Sequence, residues 1–316
     1  MIPNASPLLT GLNPGSYNLD ADYCVRGSEG RVLCCVVLLV TLYIEEGDRP
    51  EVRRGIVEAY ERYTREAGSP LIWGADPMTS EPVALATSAV GDVRHWPPEI
   101  FDRFDLQMMF TGGECVDSAS PYSFVAVSRC REEGELSYVS FTLPVDWQQT
   151  QARDAFPQLV LQMAELVEAT HGYAGFGVVP HVLGFDAESV GPLFDVARRL
   201  PGLDLDVPSQ HVEYLYTRNR LKDVNWLTIV GKRWIDAVGG EGELRKRLGE
   251  TVGWRPYSGG AVLQAGSWPF MDSRARVAYG PVARALRAIR FEDPILLTTE
   301  GGFTQTEALQ WLQRFD

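Results

Sequence analysis

The sequence predicts an α+β fold, with mixed or antiparallel sheets, packed helices and two intimately associated subdomains. The 316 residues, 45% hydrophobic and 22% charged, are typical of a globular protein with a sizeable core. Segments with the pattern of strands and segments with the periodicity of helices are mixed along the chain without a regular β-α-β order. Neither an internal repeat nor a low-complexity tract interrupts them.

The first predicted elements are a lead-in, a strand and a helix. Residues 1–30 are rich in Gly, Pro, Asn and Ser, and we expect them to be irregular. The run at 33–44, LCCVVLLVTLYI, has the β-branched and aromatic content of a strand buried on both faces. It is shorter than the roughly 20 apolar residues that a membrane helix needs. Pro50 then opens a helix predicted to reach residue 66, because Gly68 follows as a stop signal.

The middle of the chain predicts a pair of strands. Residues 69–120 contain many Pro, Gly and Asp residues and give no clear element. Strands are predicted at 122–128 and at 136–143, and apolar and polar residues alternate along the second of them. The residues between them, RCREEGE at 129–135, form a predicted acidic hairpin tip.

The rest of the chain continues to mix helices and strands. The predicted elements are a helix at 153–171, a strand at 173–182, a helix at 187–200, a strand at 224–231, helices at 233–238 and 241–248, a strand at 260–265, and helices at 277–289 and 304–314. A glycine-proline stretch near 201–207 is the best place for a boundary. It divides the chain into an acidic subdomain at 31–205 and a C-terminal subdomain at 206–316.

The net charge of −13 is concentrated in the front half of the chain. Residues 1–150 contain 22 acidic and 11 basic side chains, a balance of −11, whereas residues 151–316 contain 20 and 18, a balance of −2. A negative field of this kind repels nucleic acid and attracts basic partners. We therefore expect no nucleic-acid partner, and the short apolar run at 33–44 predicts no membrane partner. Solubility alone is the alternative explanation of the charge.

The cysteine pattern predicts a reduced, cytoplasmic protein. There are five cysteines, no C-x-x-C motif, and an adjacent Cys34-Cys35 pair that cannot readily supply two arms of a disulfide framework. The N-terminal sequence lacks the basic start and apolar centre of a secretion signal.

Motifs for nucleotide or metal chemistry are missing from the sequence. The stretch VNWLTIVGKRW at 224–234 predicts a strand, a glycine turn and a helix, but Gly231-Lys232 is followed by Arg233 and does not match a phosphate-binding loop. No two histidines lie three or four residues apart, and no acidic residue stands two positions before a lysine, as in restriction-type nucleases. We therefore expect no cofactor, no metal and no catalytic residue.

Two weaker alternatives for an enzyme remain in the sequence. Asp204 and Asp206 lie two apart and would share a strand face, as a magnesium-binding pair can, although exposed carboxylates at a strand edge are commoner. Cys115, in the loop GGECVDS, would be reactive if a histidine approached it, although a structural cysteine is the commoner case. A hydrolase of unknown substrate is therefore kept as the less favoured alternative.

Eight segments follow one another along the chain: SPYSF (120–124), LSYVSFTLPVDW (136–147), HGYAGFGVV (171–179), ARRLPGLDLDVP (197–208), VNWLTIVG (224–231), GGAVLQAGSWPFMD (259–272), YGPVARALRAIR (279–290) and WLQRFD (311–316). With these segments, the chain from about residue 33 to the end resembles one bacterial family, the TsiV-like type VI secretion immunity proteins. The resemblance implies a protein that is encoded beside a toxic effector of the type VI secretion system and binds that effector. Effectors paired with this family are often restriction-endonuclease-like nucleases. The resemblance implies no catalytic residues.

We therefore predict an immunity protein that neutralises its effector by stoichiometric occlusion, as a monomer or homodimer in the cytoplasm. An acidic inhibitor can cover the cationic cleft that a nuclease presents to nucleic acid. An adaptor that loads the effector without neutralising it is the alternative. The candidate contact residues, each of which can also be a solvated loop acid, are Glu45, Glu46, Asp48, Asp102, Asp105, Glu114, Asp117, Glu132, Glu133 and Glu135.

Overall fold

A twelve-stranded sheet runs through the part of the chain that the computed structural model describes, residues 17–68, 70–103, 105–129 and 134–316. The main path of hydrogen-bonded neighbours is β11-β12-β10-β8-β2-β7-β6-β5-β3-β4, while β1 pairs with β2 and β9 with β8. The strands are β1 (Cys24–Arg26), β2 (Val32–Ile44), β3 (Trp73–Ala75), β4 (Pro82–Ala84), β5 (Leu106–Thr111), β6 (Ser123–Ser128), β7 (Ser137–Leu143), β8 (His171–Val179), β9 (Asp204–Leu205), β10 (Leu227–Gly231), β11 (Val252–Tyr257) and β12 (Gly260–Ala265).

Ten α-helices accompany the sheet in the described ranges, and together they confirm the predicted α+β class. All strand pairs are antiparallel except β8 with β9. The helices are α1 (Pro50–Ala67), α2 (Pro98–Phe101), α3 (Trp147–Thr150), α4 (Ala155–Leu166), α5 (Ala187–Arg199), α6 (Pro208–Arg218), α7 (Lys232–Ala237), α8 (Gly240–Leu248), α9 (Arg274–Leu286) and α10 (Gln305–Leu312). Among the described residues, no helix is both long and apolar enough to cross a membrane.

Strand β2 is the centre of the core. Every one of its residues is buried, and it pairs with β7 on one side and β8 on the other. Burial on both faces explains why the strand is apolar throughout instead of alternating. The prediction of a two-sided buried strand at 33–44 is confirmed.

One face of the sheet is covered by α1, which packs against β6 and β7. Tyr60 meets Phe124 edge-to-face and Tyr63 meets it at a tilt, with ring centroids 5.3 and 5.6 Å away. Gly55 lies where a Cβ atom would be 1.8 Å from the carbonyl oxygen of Leu166 at the end of α4. The glycine therefore sets how closely the two helices approach each other.

Several boundaries differ from the predicted ones. The helix at 153–171 ends at Leu166, because Glu168 adopts a positive φ of 51° and β8 begins at His171. Helix α6 and strand β11 were not predicted. Each contains a proline, Pro208 at the start of α6 and Pro256 inside β11, and the second is tolerated because β11 is an end strand of the sheet.

Each of the two end strands of the sheet contains a proline. Pro82 lies in β4 at one end and Pro256 in β11 at the other. The sheet is continuous between them, since β8 pairs with β10 in the register from Leu227↔Ala174 to Val230↔His171.

The predicted division at residues 205 and 206 falls between β9 and α6 and stays a prediction.

The prediction of reduced cysteines is wrong for one pair. Cys24 and Cys35 face each other across β1 and β2, with Cα atoms 4.1 Å apart, and form a disulfide. Cys34 is a buried free thiol and Cys115 an exposed one. The cross-strand pair could not be recognised from the adjacent cysteines at 34 and 35, because β1 lies in the segment that was expected to be irregular.

Candidate functional site

The turn after β2 contains three of the predicted acidic residues in three different environments. The side chain of Glu45 is only 15% exposed and forms an ion pair with Arg233. Glu46 is exposed and lies 3.5 Å from the guanidinium of Arg49. Asp48 is half-buried and lines a cavity. Of the three, Glu46 and Asp48 can reach a partner without breaking a largely buried contact.

The cavity that Asp48 lines has a volume of about 890 Å³ and lies between α1 and the segment at 94–103. Asp102 is exposed and lines it as well, whereas Asp105 lies outside it and has a buried carboxylate oxygen without a partner among the described residues. The charged lining residues are Asp48, Glu58, Asp102, Arg53, Arg54, Arg94 and Arg103. Four arginines against three acids make this cavity of mixed charge, not acidic.

The loop at 112–118, between β5 and β6, contains two well-exposed acids. Glu114 is 76% exposed and 3.6 Å from Arg26, and Asp117 is 53% exposed and 3.8 Å from Arg31. A hydrogen bond with Cys115 lowers the pKa of Asp117, so this carboxylate is ionised at neutral pH. Since exposed ion pairs contribute about 0–1 kcal/mol, both acids are available to a basic partner.

The predicted hairpin tip is described only in part. Glu132 and Glu133 lie outside the described residues. Glu135 forms an ion pair with Arg129, and the side chains of both are about a quarter exposed. The structure thus brings Asp48 and Asp102 to one cavity and Glu114 and Asp117 to one loop, and their role as contact residues stays a prediction.

A buried charge cluster holds the pair of aspartates that the sequence offered as a magnesium-binding pair. Nζ of Lys222 lies 2.8 Å from a carboxylate oxygen of Asp204 and 3.4 Å from one of Asp206. It also donates to the hydroxyl of Tyr173 at 2.7 Å, and Thr41 donates to Asp206 at 2.6 Å. Both aspartates are buried, which corrects the expectation of exposed carboxylates at a strand edge.

The lysine ammonium occupies the position from which a cation would have to contact both aspartates. Burial raises the pKa of Asp204 to about 6, against the opposing effect of Lys222. Within the described residues, no group of three or more His, Cys, Asp or Glu side chains could hold a metal ion. The cluster therefore has the features of a structural ion pair. Sequence reasoning missed Lys222, although lysine is rare in this arginine-rich chain.

Cys115 does not have the environment of a nucleophile. Its hydrogen bond to the carboxylate of Asp117 raises the pKa of the thiol, so the thiolate is disfavoured. Reactive cysteines need the opposite, a positive neighbour or a helix N-terminus that stabilises the thiolate. His181, which interacts electrostatically with Asp117, is buried, and desolvation lowers the pKa of its imidazole.

The strand, turn and helix at 224–234 have a steric role in the fold. Gly231 ends β10 and precedes α7, and a Cβ atom there would lie 2.5 Å from the carbonyl oxygen of Thr170. Glycine is required for this close approach of two backbones. This fits the interpretation of the stretch as architecture.

Acidic side chains on exposed loops, such as those of Glu114 and Asp117, form a surface that attracts basic partners. The TsiV family model, described as type VI immunity for VRR-NUC, matches residues 55–315, and the chain belongs to this family. The T6SS protein PA0821 of Pseudomonas aeruginosa has the same fold, with a TM-score of 0.79 and 24% identity over 92% of this chain and 85% of that one. A comparison with curated proteins finds no match.

Proposed function

We propose that this protein is the antidote to a type VI effector with a VRR-NUC nuclease domain, which it neutralises by stoichiometric occlusion. The observation that carries the proposal is the match of residues 55–315 to the family described as type VI immunity for VRR-NUC. The sequence motifs that suggested this family are spread over the same part of the chain.

The distribution of charge supports occlusion as the mechanism. A nuclease binds its substrate by neutralising phosphates with basic side chains, so its cleft is cationic. The front half of this chain has a balance of −11 and places Glu46, Asp102, Glu114 and Asp117 at exposed positions. Such a surface attracts the cleft at long range and excludes nucleic acid once bound.

The mechanism needs no turnover, and each antidote molecule neutralises one toxin molecule. We propose that this takes place in the cytoplasm, where an effector that degrades nucleic acid finds its substrate.

Co-expression with the nuclease domain of the effector encoded by the adjacent gene tests the proposal. We expect growth to be restored, and a titration of the purified domain to lose nuclease activity linearly up to an equimolar ratio. Toxicity that persists despite complex formation would indicate an adaptor and would contradict the proposal. Inactivation by far less than one equivalent would indicate catalysis and would contradict occlusion.

A further inference from the structure

Resting on the proposed function, we propose that the effector is anchored at a small apolar notch beside the loop at 112–118. The anchor notch, as we name it, receives one apolar side chain of the effector, and Glu114 and Asp117 at its rim bind lysine or arginine side chains that flank that anchor. The lining side chains used here are Trp73, Ala75, Met109, Val116, Val182 and Leu183.

The anchor notch is formed by two distant parts of the chain. Strands β3 and β5 supply its floor, and the segment that follows β8 supplies Val182 and Leu183 as a wall. Its volume is about 80 Å³, and none of the described residues that line it is charged. Small-molecule sites usually measure about 300–1,000 Å³, so this notch suits a single side chain.

The apolar lining is open to solvent although the core is nearby. Along β5, Met108 and Phe110 are buried, and Phe110 stacks on Tyr60 of α1. Met109 lies between them in the strand, so it faces the opposite side of the sheet, and it is half-exposed. Leu183 is 59% exposed, and Trp73 is half-exposed. Contiguous exposed apolar side chains rimmed by polar residues often mark protein-interaction sites.

The anchor notch and the acidic loop form one surface. Val116 belongs to both, and Nε1 of Trp73 donates to the carbonyl oxygen of Glu114 at 3.3 Å, which ties the loop to β3. Glu114 and Asp117 therefore lie beside the apolar lining. An apolar centre surrounded by charges that discriminate between partners is the common arrangement of binding hot spots.

Charge favours this surface over the larger cavity beside α1. The effector cleft is basic under the proposed function, and the cavity of about 890 Å³ presents four arginines among its seven charged lining residues. The loop at 112–118 presents two acids and no basic residue of its own, and the arginines beside it, Arg26 and Arg31, are also paired with other acids. Those other acids are Asp20, Asp186 and Glu188, so the surroundings of the loop remain acidic. Electrostatic complementarity therefore selects the anchor notch and its acidic rim.

Two variants test the two parts of the surface against the purified effector encoded by the adjacent gene. Leu183→Asp places a charge at the anchor notch, and the double variant Glu114→Lys with Asp117→Lys reverses its rim. We expect each to weaken binding at least tenfold in biolayer interferometry. The rim variant should do so mainly through the association rate and should show a flatter salt dependence.

Matched controls lie at the other end of the sheet. Val277→Asp changes an exposed apolar residue of α9 that is 83% exposed, and Asp236→Lys with Glu250→Lys reverses two exposed acids near α7 and α8. Both should bind within twofold of the unaltered chain. Leu183→Ala, which adds no charge, should also weaken binding and guards against misfolding of Leu183→Asp.

The outcomes separate this inference from the proposed function. If the unaltered chain neutralises the effector and the notch and rim variants bind it equally tightly, the effector is not anchored at the notch. The proposed function as an immunity protein would be unaffected by that result. If the unaltered chain neither binds nor neutralises the effector, both proposals fail. Equal weakening by the controls and by the notch variants would also contradict a localised anchor.

Discussion

Lys222 shows how one side chain decides between a structural and a chemical role for a pair of acids. Its ammonium group lies within 3.4 Å of carboxylate oxygens of both Asp204 and Asp206, and all three residues are buried. Buried charges are tolerated only when they are paired and hydrogen-bonded. The lysine therefore makes it possible for β9 and the residue that follows it to place two acids in the core.

We expect Lys222→Met to lower the free energy of unfolding by about 3–5 kcal/mol, because two buried carboxylates lose their counterion. Urea denaturation followed by circular dichroism measures the change. Lys232→Met is the control, since Lys232 is exposed at the start of α7 and its loss should change stability by less than about 0.5 kcal/mol. Equal midpoints for the two variants would contradict a compensating role for Lys222.

Asp204 should give the protein a distinctive pH dependence. Burial raises its pKa to about 6, above the value of roughly 3.9 in an unfolded chain. Between these two values the folded state binds more protons than the unfolded state, so this residue's contribution to stability falls as the pH rises through 6.

The comparison with Asp204→Asn isolates this effect between pH 5 and pH 7. We expect the stability of the unaltered protein, relative to the variant, to be greater at pH 5 than at pH 7. His171, whose pKa is lowered to about 3 by burial, is present in both proteins, so its contribution cancels. Urea midpoints at the two pH values supply the measurement, and a difference that does not change with pH would show that Asp204 does not titrate in this range.

At the scale of residues, the sequence could not show which acids are buried in ion pairs and which are exposed. Glu45 and Glu46 are neighbours, but Arg233, which is 188 positions away from Glu45, holds the first and leaves the second exposed. Similarly, Arg31 lies 2.7 Å from Asp186, which is 155 positions away, and only 3.8 Å from the predicted contact residue Asp117. Pairing between distant residues depends on the fold, which local patterns do not specify.

At the scale of elements, close packing at one glycine holds α1 against α4. The Cβ of any other residue at position 55 would lie 1.8 Å from the carbonyl oxygen of Leu166. Helix propensity favours alanine over glycine by about 1 kcal/mol, so packing and propensity make opposite predictions for Gly55→Ala.

We expect the steric clash to outweigh the gain in helix propensity, so that Gly55→Ala destabilises the protein by about 1–3 kcal/mol through overpacking. Gly242→Ala in α8 is the matched control, because no described atom beyond its chain neighbours and its own helix backbone lies within 4 Å of the added methyl group. That substitution should be neutral or stabilising by up to about 1 kcal/mol. Thermal unfolding of both variants distinguishes the two effects, and a stabilised Gly55→Ala would disprove the tight contact.

The longest elements were predictable, and the three-residue strands were not. Strand β2 and helix α1 extend over enough residues for composition and periodicity to mark them, and Gly68 ends α1 in the left-handed conformation as expected. Strands β3 and β4 contain three residues each and depend on pairing with the rest of the sheet. Because tertiary contacts stabilise such elements, no local signal marked them.

At the scale of the whole molecule, the uneven charge should govern how fast the effector is found. The front half has a balance of −11 and the rest only −2. We expect the association rate constant to fall at least tenfold between about 50 and 300 mM salt, with little change in the dissociation rate constant. Stopped-flow measurements test this, and an association rate that does not depend on salt would show that the field does not steer binding.

The prolines at the two ends of the sheet limit the ways in which a partner can attach. An incoming strand needs an unbroken row of main-chain donors, and neither Pro82 in β4 nor Pro256 in β11 has an N–H group to give. We therefore expect side chains to recognise the effector and backbone annealing to play no part. The same prolines should keep copies of this protein from joining edge to edge into fibrils at high concentration.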